Sequence, residues 1–314
     1  MTVESNGGEV FIKDSSYVKV TKMNHLVEVQ HMEKMNRKAH IKKLDADRYL
    51  DIGTGEIKEF KRSENRQQSF NSLRQTFKKL RYLINNNFTG KGNELHITLT
   101  YKANMTDTKR LYEDFKNFMK RLKYRYKKET TVDYLTVVEP QGRGAWHMHL
   151  LIRFNDLDKV YIKNSDLRAL WGQGFVKIKS LKDVDNIGAY LSAYLADMEL
   201  TEDNLMSAAR MGQEIEIKVV EGQEKRFVKG GRLHMYPPGM NLYRKSKGIL
   251  EPERIEMPFN QVKKIVGSRE PHYSKKITIE DGDFQNTIQY LQYNTKRTVE
   301  NTANLDKNNQ TGGN

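Results

Sequence analysis

The sequence predicts an α+β fold in which helices cover an antiparallel sheet. From Glu94 onward the apolar periodicity switches between strand and helix in the order β-α-β-β-α-β-α. A Gly-rich turn, QGRGA, joins the second and third strands, and strands joined by so short a turn pair antiparallel. Helices that cover such a sheet give an α+β domain, and the ferredoxin-like split βαβ arrangement is the nearest common architecture.

The region before the alternation is predicted to be β-rich and then helical. FIKDSSYVKV and HLVEVQ are β-like runs, and YLDIGTGEIKEF is a hairpin in which GTG supplies the turn. A helix is predicted over residues 63–87 from helical spacing of its apolar residues, Phe70, Leu73, Phe77, Leu80 and Ile84. The other face of this helix is basic, with Arg66, Arg74, Lys78, Lys79 and Arg81.

The alternating region is predicted element by element. Its strands are ELHITLTY, YLTVVE, AWHMHLLIRF and GFVKIKS, and its helices span residues 107–128, 165–171 and 184 to about 199. Asn164 or Ser165 is expected to cap the middle helix. Beyond Leu200 a further helix is expected, then a hairpin, EIEIKVV with EKRFVKG, and the basic stretch RLHMYPPGMNLYRKSKGILEP.

These elements divide the chain into four predicted regions. Residues 1–61 form a β-rich extension, and residues 62–200 form the catalytic domain with its leading basic helix. Residues 201–260 form a basic C-terminal extension, and residues 261–314 form a variable, largely disordered tail, polar and Asn/Gly-rich from about Thr295.

Composition limits the function classes. The net charge is +14, from 54 Lys and Arg against 40 Asp and Glu, which favours a polyanionic partner such as DNA. The absence of cysteine excludes disulfides, thiolate metal sites and cysteine nucleophiles. The sequence contains neither an apolar run long enough for a membrane span nor an N-terminal signal-peptide pattern, so a cytoplasmic protein without a membrane partner is expected.

The predicted helix 107–128 is the densest basic segment. Only Glu113 and Asp114 oppose its nine lysines and arginines within the helix body, so collectively these side chains are interpreted as a phosphate-tracking surface. A solvated helix face is an equally good interpretation for any single one. The DNA-binding candidates are Lys120, Arg121 and Lys123 on this helix, and Arg143 in the turn before the histidine strand.

The run WHMHLLI carries the clearest chemistry. His147 and His149 alternate on a predicted strand, so both imidazoles project from one face and form half of a divalent-metal site. Glu139 precedes the turn, and a hairpin would bring its carboxylate beside them as a third ligand, with positions left open for substrate. Among eight histidines such a pair also arises by chance, and packing alone can place histidines alternately on a strand.

Tyr190 and Tyr194 are candidate nucleophiles, four residues apart on one face of a predicted helix. A tyrosine hydroxyl that attacks a phosphodiester forms a phosphotyrosine, frees a sugar hydroxyl and keeps the bond energy for rejoining. A phenol titrates near pH 10 when free, so it needs a metal that polarises the scissile phosphate. A spacing of four residues is also common in helix packing, so the pair alone does not establish catalysis.

In combination, HITLTY, EPQGRGAWHMHLLI and GAYLSAYL resemble the rolling-circle replication initiators of the HUH endonuclease superfamily, especially those of small bacterial plasmids and single-stranded DNA phages. The resemblance runs from about Arg62 to Pro252. It implies that Glu139, His147 and His149 hold Mg²⁺ or Mn²⁺, and that Tyr190 and Tyr194 form the nucleophile motif. The implied activity is site-specific nicking with a 5′-phosphotyrosine intermediate, followed by strand transfer. The implied partners are a single-stranded or hairpin DNA origin and a host helicase and polymerase.

One position departs from the family pattern. The family usually carries a lysine three residues after the first tyrosine, and here that position is Ala193. The missing positive charge would have to come from elsewhere, and Lys177, Lys179 and Lys182 are the candidates. Which tyrosine acts first is left open.

Three alternatives remain at this point. A non-catalytic nucleic-acid-binding protein would explain the charge and the fold but not the association of Glu139 and the histidines with paired tyrosines. A metal-dependent hydrolase that uses water would leave the tyrosines unused. A transposase or relaxase would use the same chemistry, although relaxases usually place the tyrosine before the histidines.

Overall fold

The protein is described from a computed structural model. The described residues are 2–5, 10–35, 39–60, 70–141, 144–182, 186–188, 198–199, 215–220, 223–228, 232, 235–237, 240–281 and 284–296. They belong to two compact units, one made of Met1–Arg62 with Pro252–Asn314 and the other of Ser63–Glu251. Both units are antiparallel sheets with helices, so the predicted α+β class is confirmed.

The first unit contains a six-stranded sheet in the order β1-β16-β17-β3-β2-β15, with strands numbered along the chain. Its strands are β1 (Thr2–Ser5), β2 (Tyr17–Met23), β3 (Leu26–Met32), β15 (Glu253–Pro258), β16 (Tyr273–Asp281) and β17 (Phe284–Asn294). Helix α4 (Phe259–Val266) buries Val262 and Val266 against the valines of β2 and β3. A separate meander holds β4 (Ile41–Lys43), β5 (Arg48–Asp51) and β6 (Ile57–Glu59).

This unit corrects the predicted division of the chain. The segment after residue 260, expected to be largely disordered, contains α4, β16 and β17, and β17 lies in the middle of the sheet between β16 and β3. Its place between β16 and β3 gives β17 a buried position that its polar composition did not indicate, since its Asn286, Gln289 and Gln292 are all buried. The N-terminal β-rich region and this segment therefore form one unit. Residues 297–314 lie outside the described part.

The second unit is built on a five-stranded sheet in the order β10-β7-β9-β8-β14, in which every neighbouring pair is antiparallel. Its strands are β7 (Glu94–Leu99), β8 (Val132–Pro140), β9 (Trp146–Phe154), β10 (Val176–Ser180) and β14 (Tyr243–Lys245). Its helices are α1 (Phe70–Asn87), α2 (Thr108–Tyr126) and α3 (Asn164–Trp171). A small sheet holds β11 (Met198–Glu199), β12 (Ile215–Val220) and β13 (Gln223–Val228).

The two faces of the five-stranded sheet are covered by different helices. On one face Val138, Met148 and Leu150 pack with the buried residues of α2 and α3. On the other face Val137 and Leu151 pack with Leu83 of α1 and its apolar neighbours. Since side chains alternate along a strand, the two cores take alternate residues of β8 and β9.

Three local predictions need correction. Asp107 caps α2, but α3 begins after Lys163, which makes no side-chain capping bond, so neither Asn164 nor Ser165 is the cap. The helix predicted to run to about residue 199 cannot do so, because β11 pairs with β13 there. The basic stretch after residue 231 supplies β14, which extends the sheet beside β8.

Among the described residues, no helix combines the length and the apolar character needed to cross a bilayer.

Candidate active site

The β8–β9 hairpin brings the predicted metal ligands to one face of the sheet. Glu139 lies directly opposite His147 in the register, and Val137 lies opposite His149. Opposed residues of an antiparallel pair share a face, and so do residues two apart on a strand. Glu139, His147 and His149 therefore project on the face that α1 covers, where the α1 core ends.

The turn between the two strands is closed by backbone hydrogen bonds. The Gln141 amide donates to the Ala145 carbonyl at 2.7 Å, and the Gly144 amide donates to the Gln141 carbonyl at 2.8 Å. Gly144 has a φ of +84°, which only glycine adopts without strain, so the Gly-rich sequence fits this turn. Arg143, a predicted DNA contact, lies outside the described residues.

Glu139 and His149 are in direct contact. The Nε2 atom of His149 meets Oε2 of Glu139, and these side chains are 14% and 10% exposed. The other carboxylate oxygen of Glu139 pairs with the guanidinium of Arg232, which also donates to the Pro140 carbonyl at 3.3 Å. The carboxylate is thus engaged on both oxygens, by an imidazole and by an arginine.

His96 extends this contact on the other side of His149. Its Nε2 atom lies 3.3 Å from Nδ1 of His149. His96 belongs to β7 and lies opposite Leu151, hence on the same face as His149. We call the resulting series His96, His149, Glu139 and Arg232 the polar chain. Neither end of this series, His96 nor Arg232, was among the predicted site residues, although the position of His96 in the strand ELHITLTY is a signal for it.

Burial keeps the two contacting imidazoles neutral. The pKa of His149 is lowered to about 4 by burial and then by the positive charge of Lys179. The pKa of His96 is lowered to about 3 by burial, with further contributions from His149 and Lys179. A neutral imidazole has one nitrogen with a free lone pair, which is the form that binds metals.

His147 joins the predicted ligand set by register. It is half-buried and lies opposite Glu139, one strand position from the Glu139–His149 contact. In the part of the chain that the structure describes, no group of three His, Asp or Glu side chains is spaced to hold a metal ion. The hairpin therefore places all three predicted ligands on one face and brings Glu139 and His149 into contact.

Two of the three predicted replacement lysines lie on the same face. Lys179 pairs in register with His96, and Lys177 pairs with Thr98, which is itself opposite His149. They project from β10, the outermost strand on this side of the sheet. Lys182 follows the strand and is exposed. The histidine face is thus bordered by positive charge.

The predicted nucleophiles Tyr190 and Tyr194, and the departure at Ala193, lie outside the described residues. The segment that leads to them is described and is attached to α1. The Gly188 amide donates to Oδ1 of Asn85 at 2.8 Å, and Nδ2 of Asn85 donates to Oδ1 of Asn186 at 2.9 Å. Ile187 is buried in the α1 core, and Gly188 lies so close to α1 that a Cβ atom would come within 2.7 Å of the Arg81 carbonyl oxygen.

The predicted DNA-binding residues of α2 lie on the opposite side of the sheet, because α2 covers the other face. Lys120 and Lys123 are exposed there. Arg121 has a local structural role, because its Nε donates to the Leu170 carbonyl at 2.8 Å at the end of α3. The α2 charges that the sequence predicted at the interface are therefore separated from the polar chain by the sheet.

Comparison with known proteins gives one match. Residues 94–199, about a third of the chain, match a family model described as Replication-associated protein, of the ORF2 type. The matched segment begins at β7, contains the β8–β9 hairpin and ends at β11. No curated protein and no solved structure matches significantly. Through this segment the chain is similar to that family of replication-associated proteins, and the predicted resemblance to rolling-circle replication initiators is confirmed.

Proposed function

We propose that this protein starts rolling-circle replication by nicking one DNA strand with a tyrosine nucleophile, and that the reaction depends on Mg²⁺ or Mn²⁺. The family match supports the replication role. The observation that carries the chemistry is the meeting of Glu139 and His149 on the face to which the segment before Tyr190 is attached. The product would be a 5′-phosphotyrosine and a free 3′ sugar hydroxyl, which a host polymerase could extend.

The topology supports an HUH-type core. Along the chain β7, α2, β8, β9, α3 and β10 form a βαββαβ series, and their sheet order is β10-β7-β9-β8. Both helices of the series pack on the same face, which leaves the other face to the polar chain and α1. This order and helix placement support a ferredoxin-like split βαβ core, to which β14 and α1 would be additions.

The donor chemistry of the polar chain fits a divalent metal. Glu139 Oε2 and His149 Nε2 face each other. A carboxylate oxygen together with a neutral imidazole nitrogen is a donor set that suits Mn²⁺, and the carboxylate oxygen alone suits Mg²⁺. Glu139, His147 and His149 would hold the ion, with His147 turning toward its cross-strand partner. The ion would polarise the scissile phosphate and lower the charge on the attacking oxygen.

His96 would orient the metal-binding histidine. For His149 to offer the Nε2 lone pair, its Nδ1 must carry the proton and donate it to Nε2 of His96. Burial helps, because it keeps both rings neutral. Arg232 would neutralise Glu139 in the absence of metal and would share that carboxylate when metal is bound.

The tyrosines would reach the same face through the segment that begins at Asn186. Ile187 and Gly188 are helical, and a helix that continues as the sequence predicts would place Tyr190 and Tyr194 three and seven residues after Ile187. These spacings would put both phenols on the helix side of Ile187, which is itself buried in one cluster with Val137 and Leu151. The lysines of β10 would then supply the charge that the family places at the position of Ala193.

A covalent-adduct assay tests this proposal. The full chain is incubated with end-labelled single-stranded origin DNA and Mn²⁺ and resolved on a denaturing gel, with EDTA as the metal control. Tyr190→Phe and Tyr194→Phe keep the ring and remove the nucleophile, so one should abolish most of the adduct and the other should impair strand transfer. Tyr161→Phe, at an 80% exposed tyrosine, is the matched control and should leave the adduct intact.

The same assay separates the alternatives. An adduct that mass spectrometry maps to any tyrosine other than Tyr190 or Tyr194 would refute the assignment. Cleavage without an adduct would favour a hydrolase that uses water. DNA binding with neither cleavage nor adduct would favour a non-catalytic binding protein. The ion pair between Arg232 and Glu139 fits that alternative, because it engages a proposed metal ligand. A transposase or relaxase would form the adduct but would not support replication of a plasmid that carries the origin.

A further inference from the structure

Phe175 presents an aromatic ring to solvent at the outer edge of the five-stranded sheet. It is 59% exposed and directly precedes β10, the outermost strand on that side among the described residues. Its carbonyl accepts two hydrogen bonds from Thr100, from the amide and from Oγ1, both at 3.0 Å. Gly174 lies so close to the residue that follows β7 that a Cβ atom on it would come within 2.4 Å of the Thr100 carbonyl oxygen. The ring therefore stands on an anchored backbone.

A cation lies beside this ring. The guanidinium carbon of Arg168, on α3, is 5.2 Å from the Phe175 ring centroid, within the range of a cation–π contact. Arg168 is itself exposed, so its charge remains accessible to a ligand. An exposed aromatic alone needs no explanation. An anchored aromatic together with a guanidinium is the combination on which unpaired bases stack.

The strand that follows leads from Phe175 to the polar chain. Lys177 is two residues further, roughly 6.6 Å along the strand, and Lys179 follows at the same spacing. Lys177 lies in one register row with Thr98 and His149, and Lys179 lies beside His96. An aromatic ring and two amines thus lie along the β10 edge of the sheet, and the candidate metal ligands lie further in, on β9 and β8.

We propose that this edge binds the single-stranded part of the DNA substrate: Phe175 and Arg168 stack one unpaired base, and Lys177 contacts a neighbouring phosphate. The strand would then run across the β10 edge toward Glu139 and His149. The inference rests on the proposed function for the identity of the ligand. It assigns a base contact to the β10 edge, between α3 and the face that carries the polar chain, whereas the sequence predicts DNA contacts on α2.

The test measures equilibrium binding of the full chain, without metal, to three fluorescent probes. These are a single-stranded oligothymidylate, the same oligonucleotide with abasic sites throughout, and a duplex. Phe175→Ala should weaken binding to the oligothymidylate about tenfold and should leave the abasic and duplex affinities unchanged, because stacking needs an unpaired base. The Phe175→Ala loss should be equal at about 50 mM and about 200 mM salt, since stacking releases no counterions.

Two variants control for folding and for general exposure. Phe175→Tyr keeps a stacking ring and should bind as the unmodified protein does. Tyr161→Ala removes a more exposed aromatic outside this edge and should change nothing. Equal loss on the abasic probe, or no loss with Phe175→Ala, would overturn the inference. Absence of a covalent adduct with the unmodified protein would refute the nicking proposal and would leave the stacking result to stand by itself.

Discussion

Helices α1 and α2 have the same amphipathic, basic character, and they lie on opposite faces of the same sheet. In α2 the buried stripe runs from Leu111 to Leu122, and in α1 the buried residues include Leu80 and Ile84. Both helices expose basic side chains, among them Lys79 of α1 and Lys120 of α2. Yet α1 covers the face that carries the polar chain, and α2 covers the face with Val138 and Met148.

This difference shows that a basic helix covers each face of the sheet, so charge on a helix does not by itself identify the DNA-binding face. The register of the β8–β9 hairpin decides which face these side chains share, because a one-residue shift of β9 would turn both histidines toward α2 and away from Glu139. The basic side chains that matter for catalysis would be those on the histidine face, including Lys177 and Lys179 of β10. The charges of α2 would then contribute long-range attraction rather than contacts.

The largest expected effect follows from disruption of the polar chain. His149→Ala removes a proposed ligand and should abolish both adduct formation and Mn²⁺ binding. His96→Ala leaves the ligands in place but removes their orienting partner, so Mn²⁺ affinity should fall about 10- to 100-fold. His96→Gln offers both a donor and an acceptor to Nδ1 of His149 and should restore most of the Mn²⁺ affinity.

Titration calorimetry with Mn²⁺ measures these affinities independently of nicking. DNA affinity provides the control, because it should change by no more than a few fold in each variant, as phosphate contacts supply most of it. Full Mn²⁺ affinity in the His96→Ala protein would show that His96 only fills space.

The β8–β9 hairpin was predictable because residues close together in the sequence determine it. Alternation placed His147 and His149 on one face, and the Gly-rich turn fixed the pairing that brings Glu139 beside them. The class of fold and the strand and helix order from Glu94 to Ser180 followed from periodicity of the same kind.

The rest depends on contacts between distant parts of the chain. Arg232 reaches Glu139 from more than 90 residues away, and His96 meets His149 only because β7 pairs with β9. The strands β16 and β17 were missed because strand assignment relied on apolar runs, whereas β17 buries Asn286, Gln289 and Gln292 in the middle of a sheet. Tertiary pairing overrides composition at such positions.

A smaller effect, on salt dependence, tests the comparison of the two faces directly. Replacing Lys177 and Lys179 with Ala removes two charges from the histidine face, and replacing Lys120 and Lys123 with Ala removes two from α2. For single-stranded DNA each lost phosphate contact lowers the log–log salt slope by roughly 0.7, so the first pair should lower it by roughly 1.4. The second pair should change the slope by less than roughly 0.7, the value for one phosphate contact. An equally lowered slope in the two double variants would mean that both faces contact phosphates, and an unchanged slope in both would mean that neither pair does.

The smallest expected effect concerns two neighbouring basic residues of α2. Arg121 donates to the carbonyls of Leu170 and Trp171 at the end of α3, whereas Lys120 is exposed. Arg121→Ala would leave these helix-terminal carbonyls without their donor and should lower the free energy of unfolding by about 1 kcal/mol. Lys120→Ala should change it by less than about 0.5 kcal/mol. Urea denaturation measures both, and the two variants should share one salt slope for DNA binding. A lower salt slope of DNA binding for Arg121→Ala alone would show that Arg121, and therefore α2, contacts DNA.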